Sequence, residues 1–194
     1  MNLVHPPINA FVKFVTQNLK QGISVCEVGC FQGETTHSYA PFVKSFNGSI
    51  RVIDWFCGGF GASEGIHRYQ PENKDNVLGN FKENLSGVGC LDICTIIEGK
   101  SEDMHEELED ESLDICFIDA DHTYDGVSRD IKLYKPKVKK GGYLCGHDCE
   151  DIRRANTFTP EQLQMDYHAN CHPGVIQAVY DNFGYDVEIR QNQG

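Results

Sequence analysis

Carboxylates and imidazoles gather in two short runs of this chain. Ile118-Asp119-Ala120-Asp121-His122-Thr123-Tyr124 follows one apolar stretch, and Gly146-His147-Asp148 follows another. If those stretches are neighbouring parallel strands, their ends bring two or three carboxylates and one or two imidazoles into one crevice. Like charges at such range repel and raise pKa values unless a cation neutralises them. A divalent ion is the simplest solution. An oxygen-rich set with one imidazole suits Mg2+, Mn2+ or Fe2+ better than a structural zinc. The metal candidates are Asp119, His147 and Asp148. His122, with an ordinary pKa of about 6.5, is a candidate base, so His122 and Asp119 form the catalytic pair. The plainer alternative has Asp121 and Asp148 capping helices and the histidines exposed.

A second constellation lies nearer the N-terminus. Val25-Cys26-Glu27-Val28-Gly29-Cys30-Phe31-Gln32-Gly33-Glu34 reads as a buried strand that turns through two glycines into a helix. Gly29 permits a sharp turn and close approach of a ligand, and Gly33 opens a helix whose free N–H groups can face one. The spacing is Glu-x-Gly-x-x-x-Gly, not the Gly-x-Gly-x-x-Gly of dinucleotide binders. A carboxylate here would repel a pyrophosphate, so Glu27 suits a ligand carrying a cation. The turn residues Glu27, Gly29, Cys30, Phe31 and Gly33 are the expected lining. Asp54, at the end of a second strand, can accept hydrogen bonds from both hydroxyls of a ribose; Trp55 follows it. Ser101 and Glu102, after a third strand, either cap a helix or read an adenine edge.

These residues need a scaffold that delivers them to one edge. Apolar spacing predicts helices over 8–20, 34–46, 73–86, 101–109 and 125–138, and from Pro173 to Asn182. Strands are expected at 23–28, 50–53, 92–97 and 113–118, from Gly141 to Cys145, and from Tyr185 to Ile189. Residues 55–72 and 149–171 show no clear period. The alternation predicts an α/β fold with a doubly wound, mostly parallel, Rossmann-like sheet in three α/β/α layers. Ligands of such sheets bind outside the carboxyl ends of the strands, where all the candidate residues fall. The loop 55–72, with Trp55, Phe56, Phe60 and Tyr69, offers aromatic cover for a substrate and enough glycine to act as a lid.

The 194 residues fit one domain spanning 1–194. A net charge of −12 disfavours a nucleic-acid partner, and the basic cluster Lys132 to Lys140 reads as the solvated end of a helix. No apolar run is long enough to span a membrane, and no signal peptide is visible. A cytoplasmic protein is expected, with homo-oligomerisation left open. The nine cysteines include no Cys-x-x-Cys pair. Cys26, Cys94, Cys116 and Cys145 are expected in the core, while Cys145 and Cys149 flank the His-Asp pair. His168, Cys171 and His172 form a weaker ligand candidate. His5, His37, His67 and His105 are expected at the surface or in the core.

The glycine turn resembles motif I of class I S-adenosylmethionine-dependent methyltransferases. Phe117 to His122 with Tyr124-Asp125-Gly126-Val127, Lys140-Gly141-Gly142-Tyr143-Leu144, Gly146-His147-Asp148, and His172-Pro173-Gly174-Val175 with Ala178-Val179 are similar to the methyltransferase 24 family. More distantly they resemble the cation-dependent catechol and caffeoyl-coenzyme A O-methyltransferases. The likeness covers roughly residues 22–190. It implies a Rossmann-like sheet, S-adenosylmethionine as cofactor, Mg2+ or Mn2+ as a second one, and an adenine contact near Ser101. It also implies a metal role for Asp119. His147-Asp148 stands where those enzymes carry an acidic–amide pair, and His122 where catechol-type enzymes carry a lysine. The expected function is O-methylation of a small-molecule hydroxyl. The alternatives are an S-adenosylmethionine-binding domain without catalysis, a metal-dependent hydrolase, or an NAD oxidoreductase.

Overall fold

In the computed structural model, residues 6–57 and 74–190 are described. Five strands form one parallel sheet: β1 Ser24–Val28, β2 Ser49–Asp54, β3 Cys94–Glu98, β4 Leu113–Ile118 and β5 Val138–Gly146. Their order is β3-β2-β1-β4-β5, and every pair is parallel. The order reverses between β1 and β4, so the crevice of this doubly wound sheet opens there. The helices are α1 Pro6–Gln17, α2 Glu34–Ser45, α3 Lys74–Gly87, the short α4 Ser101–Met104, α5 Tyr124–Tyr134 and α6 Pro173–Phe183.

Alternation along the strands sorts the core into two layers. Val25, Ile50, Val52, Ile115 and Phe117 face Phe11, Val15, Tyr39, Val43, Phe81 and Leu85 of α1, α2 and α3. Cys26, Val28, Ile53, Cys116 and Ile118 face Val127, Ile131, Tyr134, Val175 and Ala178 of α5 and α6. All six residues of β4 are buried, as a central parallel strand covered on both faces requires.

Three expectations change. The segment 185–189 is not a strand. Val187 and Ile189 are half-buried and Glu188 and Arg190 exposed, so the chain is extended. Side chains rather than a backbone ladder hold it: the Arg190 guanidinium lies 4.9 Å from the Phe14 ring centroid and its Nη1 is 3.3 Å from Gln17 Oε1. Among the described residues the sheet therefore ends at β5. That strand starts at Val138, ahead of the glycines, because a register shift against β4 and a positive φ of 78° at Gly141 accommodate the extra residues. The predicted helix 101–109 is one turn of α-helix followed by a 3-10 turn over His105–Glu107.

Glu27 shares the α2 face of β1. Its carboxyl is 1% exposed, and Oε2 accepts hydrogen bonds from Thr36 Oγ1 and Tyr39 Oη, both at 2.8 Å. Burial pushes its pKa from 4.5 up to about 8, against the pull of those two donors. Between those values the folded state keeps a proton that the unfolded state has released. Its contribution is therefore full below about 4.5 and is lost as pH rises through about 8, at roughly 1.4 kcal/mol per pH unit. Glu27→Gln should flatten the decline of Tm between about pH 5 and about pH 9 and exceed the parent protein at the alkaline end. Parallel Tm curves for the two proteins would show that Glu27 is not held protonated.

Candidate active site

The end of β1 passes directly beneath the end of β4. Gly29 has φ +86°, and a Cβ there would stand 2.1 Å from the Asp119 carbonyl oxygen. Only glycine fits both the turn and the contact. The Asp119 N–H donates to Val28 O at 2.8 Å, which fixes the end of β4 against that turn. Gly33 has φ +80°, and a Cβ there would meet the Phe81 ring at 2.7 Å, so α3 dictates that glycine.

Asp54 clasps the turn from the side of β2. Its Oδ2 accepts from the N–H groups of Cys30 and Phe31, both at 2.8 Å, and its Oδ1 accepts from Phe56 N at 2.6 Å. A carboxylate offers about four acceptor positions, so room remains for a ligand hydroxyl beside these three bonds. Phe31, Gln32 and Trp55 are half-buried along this edge, and Cys30 is buried. The Lys100 ammonium sits 5.9 Å from the Trp55 ring centroid.

Several predicted contacts take other partners. Glu27 does not reach the crevice: strand parity sends its carboxyl into the α2 layer. Ser101 Oγ donates to Asp130 Oδ1 of α5 at 2.8 Å, and Tyr134 Oη donates to Ser101 O at 2.8 Å. Burial raises the Asp130 pKa to about 6. Glu102 is paired with Arg129 at 2.6 Å. Ser101 and Glu102 thus tie α4 to α5. Phe56 is fully buried against Phe81, so it belongs to the core rather than to substrate cover. Phe60, Tyr69 and the other residues of the expected lid from 58 to 72, with His5 and His67, lie outside the described residues.

The ends of β4 and β5 do converge. His147 N donates to Ile118 O at 3.1 Å. Asp119 Oδ1 lies 3.4 Å from both His122 Nε2 and His147 Nδ1. Asp148 Oδ1 is 3.0 Å from His147 Nδ1, and Asp148 Oδ2 is 3.6 Å from His122 Nε2. Asp148 reaches this position with φ +60°, a conformation that costs a non-glycine residue energy. Asp121 turns away. Its Oδ1 accepts from Thr123 N, and Gly126 leaves space for its carboxyl, so it belongs to the start of α5.

The carboxylates and imidazoles of the cluster shift one another's pKa values. Burial favours the neutral imidazole of His147, but Asp119 and Asp148 prevail and raise its pKa to about 10. Burial likewise opposes the charge on His122, and Asp119 with Asp166 raises it well above 6.5. Burial would lift the Asp119 pKa, but His122 and His147 hold it far below the usual carboxylate range. The carboxylates around His122 thus favour its charged form, where an ordinary pKa was expected.

Three further side chains enter from the segment between β5 and α6. Asp166 Oδ1 is 2.7 Å from His122 Nδ1. Glu150 Oε1 is 2.6 Å from His172 Nδ1, and His172 N donates to Glu150 Oε2 at 3.2 Å. His172 Nε2 stands 3.5 Å from Asp148 Oδ2. Periodicity gave no sign of Glu150 or Asp166; His172 was among the candidate ligands, together with His168 and Cys171. His168 and Cys171 instead close a local bridge, and Cys171 is buried. No helix of the described residues is long and apolar enough to cross a membrane.

A parallel sheet in this order, with a glycine turn after β1, an acid after β2 and a polar cluster after β4 and β5, defines the class I methyltransferase fold. Solved structures share it. Cofactor-bound Rv0187 from MTB superposes with a TM-score of 0.62 at 15% identity, covering 94% of this chain and 69% of that one. The O-methyltransferase TomG of Streptomyces achromogenes, involved in tomaymycin synthesis and solved with S-adenosylmethionine, gives 0.61 at 15% identity, covering 92% and 66%. A Staphylococcus aureus protein described as a caffeoyl-CoA O-methyltransferase gives 0.60 at 16% identity, covering 93% and 74%. An uncharacterized protein of Acanthamoeba polyphaga mimivirus, R132, is 49% identical over 48 residues, which are 25% of this chain and 22% of that protein. Residues 26–149 match the family described as Methyltransferase domain. The chain belongs to that family of methyltransferase domains and has the class I methyltransferase fold.

The clasp at Asp54 carries a stability consequence. Asp54→Ala leaves three backbone N–H groups without their acceptor and should lower the unfolding free energy by roughly 2–4 kcal/mol, even without ligand. Urea denaturation reads this directly. An unchanged midpoint would mean that the turn holds itself.

Proposed function

We propose that this protein transfers the methyl group of S-adenosylmethionine to a hydroxyl oxygen of a small molecule, with a divalent cation, Mg2+ or Mn2+ among the candidates, bound by Asp119, His147 and Asp148. The observation that carries the reading is the convergence of those three side chains beside the Gly29 turn. The methyl-donor side and the acid–imidazole cluster share Asp119, whose main chain packs on Gly29 and whose side chain joins the cluster.

The residues fit both groups. The donor carries an ammonium and a sulfonium, and the crevice offers carboxylates from Asp54 and Asp119. Asp54 has acceptor capacity for a ribose hydroxyl. Gly29, Cys30, Phe31, Gly33 and Trp55 line the approach to it. Two carboxylates and an imidazole, with N–O separations of 3.0 and 3.4 Å, form a donor set for a divalent ion. Such an ion supplies, when bound, a charge that lowers the pKa of an acceptor hydroxyl.

Methyl transfer is an in-line displacement, so the chain's own work is to orient two reactants and exclude water. Asp54 and the glycine turn orient the donor. Asp119 and Asp148 hold negative charge on the acceptor side, where a cationic partner and a developing alkoxide are both accommodated. The net charge of −12 supports a small-molecule acceptor over a nucleic acid or an anionic membrane surface. All nine cysteines stand as free thiols, which supports a reducing, cytoplasmic compartment.

Titration calorimetry with S-adenosylhomocysteine should show one site, and bound ligand should raise Tm by mass action. A panel of small hydroxylated acceptors, read as release of S-adenosylhomocysteine, should show turnover that chelator suppresses. Asp119→Asn should reduce it by at least about 100-fold, the scale of losing a charge-stabilising group. Adenosyl-ligand binding with no turnover on any acceptor would favour a binding domain. Full turnover in excess chelator would remove the cation from the reading.

A further inference from the structure

Along α5 the buried positions Val127, Asp130, Ile131 and Tyr134 recur at helical spacing. One member of that stripe is a carboxylic acid. Asp130 is 0% exposed. Its Oδ1 accepts from Ser101 Oγ at 2.8 Å, and among the described residues its Oδ2 meets no hydrogen-bond partner. The Arg129 guanidinium stays 3.8 Å from Oδ1 at its Nε, and its Nη1 is committed to Glu102. Stability alone would place an apolar side chain here, because a buried oxygen without a partner is costly. An exception of this kind in an otherwise consistent stripe points to function.

What Asp130 holds is the stretch of chain beside the Asp54 clasp. Ser101 is fixed twice, since Tyr134 Oη also donates to its carbonyl oxygen at 2.8 Å. Two residues earlier, Gly99 N donates to Asp54 O at 2.9 Å, and Asp54 is the acid that binds the glycine turn. Between them, Lys100 sets its ammonium 5.9 Å from the Trp55 ring centroid. The strands carry the same link, with Asp54 opposite Glu98 in the β2–β3 pair. Residues 99–101 thus lean on Asp54 and Trp55 at one end and hang from Asp130 at the other. So short a stretch, bonded at both ends, passes a shift of Ser101 directly to the two side chains assigned to the methyl donor.

We propose that Asp130 is a positioning residue for the methyl donor: through Ser101 it sets residues 99–101 against Asp54 and Trp55. This rests on the donor half of the preceding reading and does not involve the cation. The groups around Asp130 are Arg129 and Tyr134 of α5, Ser101 and Glu102 of α4, Asp121 of the loop after β4, Cys26 of β1 and Cys116 of β4. Burial outweighs Ser101 and Arg129, and Asp121 and Glu102 add to it, so the pKa of Asp130 rises from 3.8 to about 6. Its contribution to the folded state is full below 3.8 and is lost as pH rises through about 6. The neutral acid therefore fastens residues 99–101, and the ionised one loosens them.

Calorimetry of S-adenosylhomocysteine on the full chain tests this. Ser101→Ala and Asp130→Ala should each weaken binding by about 5–10-fold, the scale of one hydrogen bond. The double variant should lose no more than either single one, because both remove the same tie. The parent protein should bind at least about 3-fold more tightly at about pH 5 than at about pH 7.5, which corresponds to a shift of about half a pKa unit on binding. Asp130→Asn, neutral and of the same shape, should keep the tighter affinity at both values and so remove that step. Parental affinity in both alanine variants overturns the proposal and leaves the donor site standing. A pH step in Asp130→Asn as large as the parent's does the same. No binding by the parent protein at either pH overturns the donor reading and this inference with it. Ser101→Ala removes only a hydroxyl, so the comparison decides the matter even if Asp130→Ala fails to fold.

Discussion

The arrangement depends on the pairing of β1 with β4. Parallel register sets Val28 opposite Ile118, so the residues one step beyond each strand meet at the same height. One is Gly29, the other Asp119. Their contact leaves no room for a Cβ, and so the glycine turn and the acid cluster are one structural unit. β2 and β5 then add Asp54 and His147-Asp148 from either side. The crevice lies where the strand order reverses, because crossovers leaving β1 and β4 travel to opposite faces of the sheet.

Charge is the second organising term. Asp119 stands at the mouth of a sheet whose interior is apolar, where burial works against its charge. His122 and His147 lie within reach and hold its pKa low, and the carboxylates raise theirs in turn. The opposite solution appears at Glu27, where two hydroxyl donors and no cation leave the acid neutral near pH 7. The same side-chain chemistry thus takes two protonation states in one domain, decided by what lies within hydrogen-bond reach.

Most of the scaffold was legible in the amino-acid sequence because strands and helices here follow their apolar periods closely. The run 113–118 coincides with β4, and the acids after β2 and β4 fall at strand ends as expected. Glu27 was misread because both its neighbours are apolar. A strand buried on both faces gives no sign of which face an odd polar residue takes, and only the packing of α2 decides it. Ser101 was ambiguous between cap, adenine contact and tertiary tie, and its true partner, Asp130, is 29 residues away. The strand expected at 185–189 had the right alternation, but alternation cannot show whether a ladder partner is bonded. Glu150 and Asp166 could not be found at all. They lie in irregular chain, and their roles are set by contacts 22 and 44 residues distant.

The segment between β5 and α6 has a further consequence. It makes no strand of the sheet, yet Glu150, Asp166 and His172 all come from it, and Gly174 locks its end onto the loop after β4. The Gly29 turn and its Asp54 clasp are built from the ends of β1 and β2. Divergence can therefore act on the two halves separately. Insertions or replacements between β5 and α6 would rebuild the acid–imidazole cluster, while the glycine turn stays under its own constraint. A lineage built on this fold has one fixed edge and one interchangeable edge, divided along a boundary that the strand order draws.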